Sequence, residues 1–251
     1  MRTTAIPNPF VSIAEAAFIA GVPDRQMNRV VDEGILPSVL FCVDEGRRYA
    51  RLGAALASFY FEEENVLMAG ARKKIISELV LRLTQRADWH LLIALSVKLP
   101  RTIDWRISIS HIYCNVLPFI ENSMVRIHDI DRAESLVICD AEILSGTPIF
   151  KGTRVPTEMV LASMDKGIDM PRIRAAYPFV TDEHVQAART YAAVHPRKGR
   201  PVRLSESHPE LKPISDGVIR RARVRAFNKR LGTSTDHTSA PSIIKFEQRK
   251  R

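Results

Sequence analysis

Apolar positions recur at helical spacing from the start of the chain: Ile13, Ala16, Ala17, Ile19, Val22, Met27, Val30, Val31 and Ile35. Ser12 stands before the first run and Glu15 three residues on. In this capping-box pattern the Ser12 hydroxyl accepts from the Glu15 amide and the Glu15 carboxylate reaches back. The pattern predicts a short helix through Ala20, a turn at Gly21, and a second helix from Asp24 to about Glu33. Gly34 ends that helix, as a glycine at a helix C-terminus does. Residues 39–43 are mostly apolar, Asp44-Glu45-Gly46 is a turn signal, and residues 47–51 form a basic return, so this part reads as strand, turn, strand.

Farther on, Leu67, Ala71, Ile75, Leu79 and Leu83 recur every four residues, which predicts an amphipathic helix over 66–83. A more apolar helix over 89–95 follows, and the two suit a core or a dimer interface. Alternation over 107–113 and the apolar run 135–140 predict short strands. Asp129 and Asp131, between them, read as loop residues. Residues 143–157 are crowded with turn formers, Gly146, Pro148, Gly152 and Pro156. Three helices are predicted next: one over 159–166 closed by Gly167, one capped by Asp169 with Pro171 in its first turn, and one capped by Thr181 and running to about 194. The expected fold class is mainly α, with a small β-hairpin, linker helices, short strands and an extended basic tail.

Charge divides the chain unevenly. Residues 196–251 hold 15 Lys and Arg against 5 Asp and Glu, a net of +10, which leaves −1 for the other 195 residues of this +9 chain. The expected organisation is 1–64, a DNA-binding unit; 65–134, a connecting region; 135–195, a trihelical unit; and 196–251, the basic tail. Such a tail suits an acidic partner, and an unfolded, solvated end would have the same composition. Cys42, Cys114 and Cys139 are an odd set without paired spacing, which fits free thiols and a cytoplasmic location. No apolar run is long enough for a membrane span. No nucleophile elbow, phosphate loop or metal-ligand spacing stands out, so neither enzymatic activity, nor a metal, nor a cofactor is expected.

The predicted second helix carries Arg25, Gln26, Asn28 and Arg29, side-chain types that read base edges, since Arg suits guanine and Asn or Gln suits adenine. On the hairpin, Arg47, Arg48 and Arg51 are placed as phosphate contacts. The same two helices would also serve as a packing unit that touches no DNA. The run from Ala14-Glu15-Ala16-Ala17 through Gly21-Val22, with Gly34-Ile35-Leu36-Pro37 and Gly46-Arg47-Arg48-Tyr49, resembles winged helix-turn-helix domains of the MerR and excisionase type over about residues 11–61. It departs from them at Pro23, where a capping Ser or Thr would be expected.

A second resemblance rests on Gly146, Pro148, Gly152-Thr153-Arg154-Val155-Pro156, Gly167-Ile168, Tyr177-Pro178, Thr181, Val185, Ala187-Ala188 and Tyr191-Ala192. This pattern is similar to the domain-of-unknown-function family 433, whose members are trihelical, helix-turn-helix-like modules. Within it, Gly152 is expected to supply a turn, Thr153 to cap, and Arg154 to pair with an acid such as Glu158. The reading of Arg154 as a contact to phosphate or an acidic partner stays open. A DNA-binding unit ahead of such a module resembles antitoxins of the VapB type. The resemblance implies a PIN-like ribonuclease toxin as partner, operator DNA as ligand, and a homodimer or a larger toxin–antitoxin assembly. Arg197, Arg200, Arg203, Arg220, Arg221, Arg223 and Arg225 would then enter the toxin's carboxylate cleft. The alternative is a stand-alone DNA-binding regulator whose tail grips phosphates.

Overall fold

The Ser12 hydroxyl accepts from the Glu15 amide at 3.2 Å and starts helix α1, Ile13–Ala20. Gly21, at φ 71°, turns the chain into α2, Asp24–Asp32. The computed structural model describes residues 9–43, 46–95, 102–196, 211–213 and 246–248. Pro23 occupies the N-cap of α2 without a side-chain cap, and Asp24 supplies a carboxylate in the first turn, where the helix dipole favours it. Gly34, at φ 58°, follows the helix end.

The hairpin differs from the expected strand pair at both ends. Residues 38–40 form a 3-10 turn, Ser38–Leu40, so the first strand shortens to β2, Phe41–Cys42. The return strand is β3, Arg48–Ala50. A further strand, β1, Phe10–Val11, pairs with β3 on its other side, giving the antiparallel order β1-β3-β2 with Phe10 opposite Ala50 and Phe41 opposite Tyr49. Arg51 is not a strand residue. It opens α3, Arg51–Glu62, whose positions from Leu52 to Phe61 are all buried. A helix apolar on every side belongs in the middle of a core, and α3 lies there.

Helices α4, Ala69–Thr84, and α5, Trp89–Ala94, follow, then the antiparallel hairpin β4, Arg106–Ile109, with β5, Ile112–Asn115. The largest departure from expectation comes next. Asp129 and Asp131 are not loop residues, and Ser135 and Leu136 are not yet strand: both pairs belong to the 20-residue helix α6, Leu117–Leu136, with Pro118 in its first turn. Ile120, Ser123, Ile127, Ile130 and Ala133 form its buried stripe. Phe119 meets Phe59 of α3 edge to face at 5.3 Å between centroids.

The described residues form two cores, and α6 contributes to the first. One runs from Val11 through α1 to α5 and ends on Ile127, Ile130 and, from far along the chain, Val194. The second is smaller: Val137, Phe150, Val160, Ile173, Val180, Val185 and Ala188. It belongs to a pair of strands, β6, Val137–Ile138, and β7, Ile149–Phe150, and to three helices, α7, Thr157–Asp165, α8, Met170–Ala176, and α9, Asp182–Val194. Asp169 caps α8 through the Arg172 amide and Thr181 caps α9 through the His184 amide, as their positions predicted. Helix α9 packs along α6 and reaches α1. Residues 198–251 form a separate unit, in which β8, Leu211–Pro213, pairs antiparallel with β9, Phe246–Gln248.

Candidate nucleic-acid interface

The turn between α1 and α2 is held from below. Arg126 of α6 donates from Nε to the Ile19 carbonyl at 2.8 Å and from Nη2 to the Ser58 hydroxyl at 3.4 Å. The left-handed turn at φ 71° favours glycine at Gly21, and a Cβ there would stand 2.9 Å from the Arg126 Nη1 atom and displace the guanidinium. Behind α2, the buried Tyr49 hydroxyl donates to the Met27 carbonyl at 2.9 Å and ties β3 to the helix.

Arg47 fixes the hairpin to the outer side of α2. Its Nη1 donates to the Asn28 carbonyl and to Asn28 Oδ1, each at 3.1 Å, and its guanidinium pairs with both Asp32 oxygens at 3.1 and 2.5 Å. The hydrogen bonds from Arg47 hold the Asp32 carboxyl below its usual range. Asn28 Oδ1, the acceptor an adenine amino group would need, is already occupied. Arg29 makes a two-point pair with Glu33, at 2.6 and 3.4 Å, and lies over the Phe61 ring. This pair depresses the Glu33 carboxyl in turn.

Arg51 departs furthest from its expected role. Rather than facing phosphate, its Nη2 donates to Glu15 Oε1 at 3.2 Å and to Asp131 Oδ1 at 3.0 Å. The Glu15 carboxylate therefore serves Arg51, and the expected reach back to the Ser12 amide does not form. Burial raises the Glu15 carboxyl above its ordinary value, and the nearby Arg51 charge only partly offsets this.

Of the seven side chains expected on this face, Arg25 and Arg48 are exposed and make no ion pair among the described residues, and Gln26 is half-buried beside Arg25. Asn28, Arg29, Arg47 and Arg51 are held by the protein itself. The surface left for a ligand lies at the N-terminal turn of α2 and on β3.

The glycine-rich stretch at 146–157 is a scaffold. Leu144, Ser145 and Gly146 are all left-handed, at φ 48°, 54° and 76°, and the Gly146 amide donates to the Asp140 carbonyl at 3.1 Å. Gly152, at φ 77°, turns the chain so that the Phe150 amide meets the Val155 carbonyl at 3.2 Å. The Thr153 hydroxyl donates to the Phe150 carbonyl at 2.8 Å and accepts from the Val155 amide at 3.1 Å. It thus braces the turn and does not cap α7, whose N-cap is Pro156. Arg154 is exposed.

Sequence reasoning gave no hint of a junction where α9 ends. His195 Nε2 lies 3.5 Å from Glu134 Oε1, its ring sits 4.4 Å from that of Tyr191, and the Tyr191 hydroxyl is 3.2 Å from Cys139 Sγ. The hydrogen bond from His195 lowers the Glu134 carboxyl. Among the described residues, no group of three or more His, Cys, Asp or Glu is placed to hold a metal ion, and no helix is long and apolar enough to cross a membrane. Arg197, Arg200, Arg203, Arg220, Arg221, Arg223 and Arg225 lie outside the described residues.

Comparison with known proteins places these features in a family. The family described as Protein of unknown function (DUF433) matches residues 137–192, the span of the second core. The uncharacterized protein y4eO of Sinorhizobium fredii (strain NBRC 101917 / NGR234) is 32% identical over 189 residues, covering 74% of this chain and 82% of that protein. The crystal structure of Rv2018 from Mycobacterium tuberculosis aligns over 74% of this chain and 99% of its own, at 17% identity and a TM-score of 0.28. With its two-core body and a DUF433 segment at 137–192, the chain belongs to the family of y4eO.

Proposed function

We propose that the protein is the antitoxin of a type II toxin–antitoxin pair. In this reading α1 and α2 act as a helix-turn-helix with the β2–β3 hairpin as its wing, and they bind the protein's own operator as a dimer. The basic segment 196–251 binds a PIN-like ribonuclease, and its arginines pair with the carboxylates that would otherwise hold the nuclease metal. The DUF433 module joins the two and is itself neither a reader of bases nor a catalyst.

One observation carries the reading. A near-neutral body, with two helices turning through Gly21 beside a hairpin, is followed by 56 residues holding a net charge of +10. A DNA reader needs the first, and an inhibitor of an acidic cleft needs the second. Two measurements test it. Gel shifts with DNA from upstream of the gene should give tighter binding than random competitor, and equal affinity for both rejects operator recognition. Deleting 196–251 should abolish inhibition of the partner nuclease, and inhibition that survives the deletion removes the tail as inhibitor.

A further inference from the structure

At the end of α1, two of the last carbonyls are satisfied by the chain that follows. The Gly21 amide donates to the Phe18 carbonyl at 3.1 Å and the Val22 amide to the Ala17 carbonyl at 3.0 Å. The Ile19 carbonyl is satisfied from elsewhere, by Arg126 Nε at 2.8 Å. Helix α1 has no basic residue in its own last turn, so this guanidinium, 107 residues away along the chain, also supplies the cation that the helix dipole favours there. On the other side of the turn, Pro23 caps α2 without a side-chain hydrogen bond. A capping Ser or Thr would fix the start of α2 locally, and that tie is missing.

Arg126 is itself held. Its Nη2 donates to the buried Ser58 hydroxyl of α3 at 3.4 Å, and Ser58 donates on to Glu62 Oε1 at 2.5 Å. Its Nη1 lies so close to Gly21 that a Cβ there would stand at 2.9 Å. One planar group on α6 thus meets α1, α3 and the turn together, which a flexible ammonium does less well than a rigid fork. Farther along α2, Tyr49 ties Met27 to β3, and Arg47 ties Asn28 and Asp32 to the hairpin. The N-terminal end of α2, with Arg25 and Gln26, is held through the turn.

We propose that Arg126 is a positioning residue for base reading: by gripping the end of α1 and the turn, it fixes the angle at which α2 leaves α1, and with it the register in which Arg25 and Gln26 meet base edges. The proposal rests on operator binding by α1 and α2. Arg126 acts through Ile19 and Gly21 and is not a phosphate contact, because the protein already engages its Nε and Nη2. Hydrogen bonds to base edges weaken steeply when they are bent, whereas attraction to phosphates tolerates small rotations. A misplaced α2 therefore loses sequence preference and keeps its hold on DNA in general.

Competition binding at fixed salt tests this on the full chain with Arg126→Met and Arg126→Lys. Arg126→Met should lose about tenfold of the preference for upstream over random DNA, roughly one base contact, with its affinity for random DNA unchanged. Arg126→Lys keeps a cation at the end of α1 and should recover part of the preference. A preference that survives in Arg126→Met, an equal loss on both DNAs, or a lysine variant no better than the methionine one would overturn the proposal. A second readout needs no DNA: backbone residual dipolar couplings over 13–20 and 24–32 give the angle between α1 and α2. They should shift in Arg126→Met and shift less in Arg126→Lys, which carries both readouts if the methionine variant does not fold. Unchanged couplings in a folded variant would also overturn the proposal. An unaltered chain without preference for upstream DNA rejects operator reading instead, and the couplings still decide whether Arg126 sets the angle.

Discussion

Arg51, the first residue of α3, donates to Glu15 on α1 across 3.2 Å, and both side chains are largely shielded from water. The same nitrogen meets Asp131 on α6, so one guanidinium joins three helices. Removing one partner of a buried pair leaves the other charge without compensation, at roughly 3–5 kcal/mol. Asp131 is half-exposed and softens that loss, so Arg51→Met should lower stability by about 2 kcal/mol. Urea denaturation of Arg51→Met, Glu15→Gln and the double variant checks this. The double variant should lose clearly less than the sum of the single losses, and strict additivity would show that the pair is not coupled.

The acidic groups make opposite contributions to the pH profile. Burial raises the Glu15 carboxyl, so its folded form holds a proton more tightly than the unfolded one. Its contribution is full below the unfolded value of about 4.5 and is lost as pH rises through the folded one. His195 lowers the Glu134 carboxyl, so that contribution is present above about 4.5 and is lost as pH falls through the folded value. Glu134→Gln should therefore melt below the unaltered chain at pH 7, and the gap should close by about pH 3. A gap that stays constant from pH 7 to pH 3 would detach Glu134 from His195.

Capping chemistry made the helices around the motif legible, because a cap is a local event: Ser12, Asp169 and Thr181 each bond an amide three residues on. Helix α6 was hidden by its composition. Its buried stripe includes Ser123, and Asp129, Asp131, Arg132 and Glu134 break up its last turns, so the apolar period is weak. A proline in its first turn and the spacing of Ile120, Ile127, Ile130 and Ala133 were the usable signals. The arginines were illegible for a different reason. Residue type shows that Arg47 and Arg51 can meet phosphate, but only the fold reveals that Asp32, Glu15 and Asp131 reach them first.

The left-handed run at the front of the DUF433 segment stores strain. Leu144 and Ser145 have side chains in a conformation that costs an L-residue roughly 1–2 kcal/mol. Glycine adopts it freely, while its more flexible unfolded chain takes back part of the gain. Ser145→Gly should leave stability unchanged or raise it by up to about 1 kcal/mol, although glycine usually destabilises. The reverse change, Gly152→Val at φ 77°, should cost about 1–2 kcal/mol. Thermal melting should fall for Gly152→Val and hold or rise for Ser145→Gly; equal losses would mean that backbone strain does not govern this turn.

On the proposed operator, the residues of α2 should not contribute equally. Arg25 is unpaired among the described residues, whereas Asn28 is engaged by Arg47 and Arg29 by Glu33. Arg25→Ala should cost about 1–3 kcal/mol of operator affinity, and Asn28→Ala well under 1. Competition gel shifts measure both. An Asn28→Ala loss as large as that of Arg25→Ala would mean that the Arg47 clasp opens on DNA.

Salt dependence separates the two uses of the basic segment. Each phosphate neutralised adds roughly −0.9 to the slope of log affinity against log salt. In the antitoxin reading the body alone holds the operator, with Arg48 and few other cations on phosphate. The slope should then be shallow and the same with and without 196–251. In a stand-alone regulator the segment's 15 basic residues lie along the duplex, and deleting it should flatten a steep slope by several units. Binding titrations of both forms between 50 and 200 mM salt decide the question. A slope that flattens on deletion assigns the segment to DNA; a slope that does not, together with lost nuclease inhibition, assigns it to the toxin.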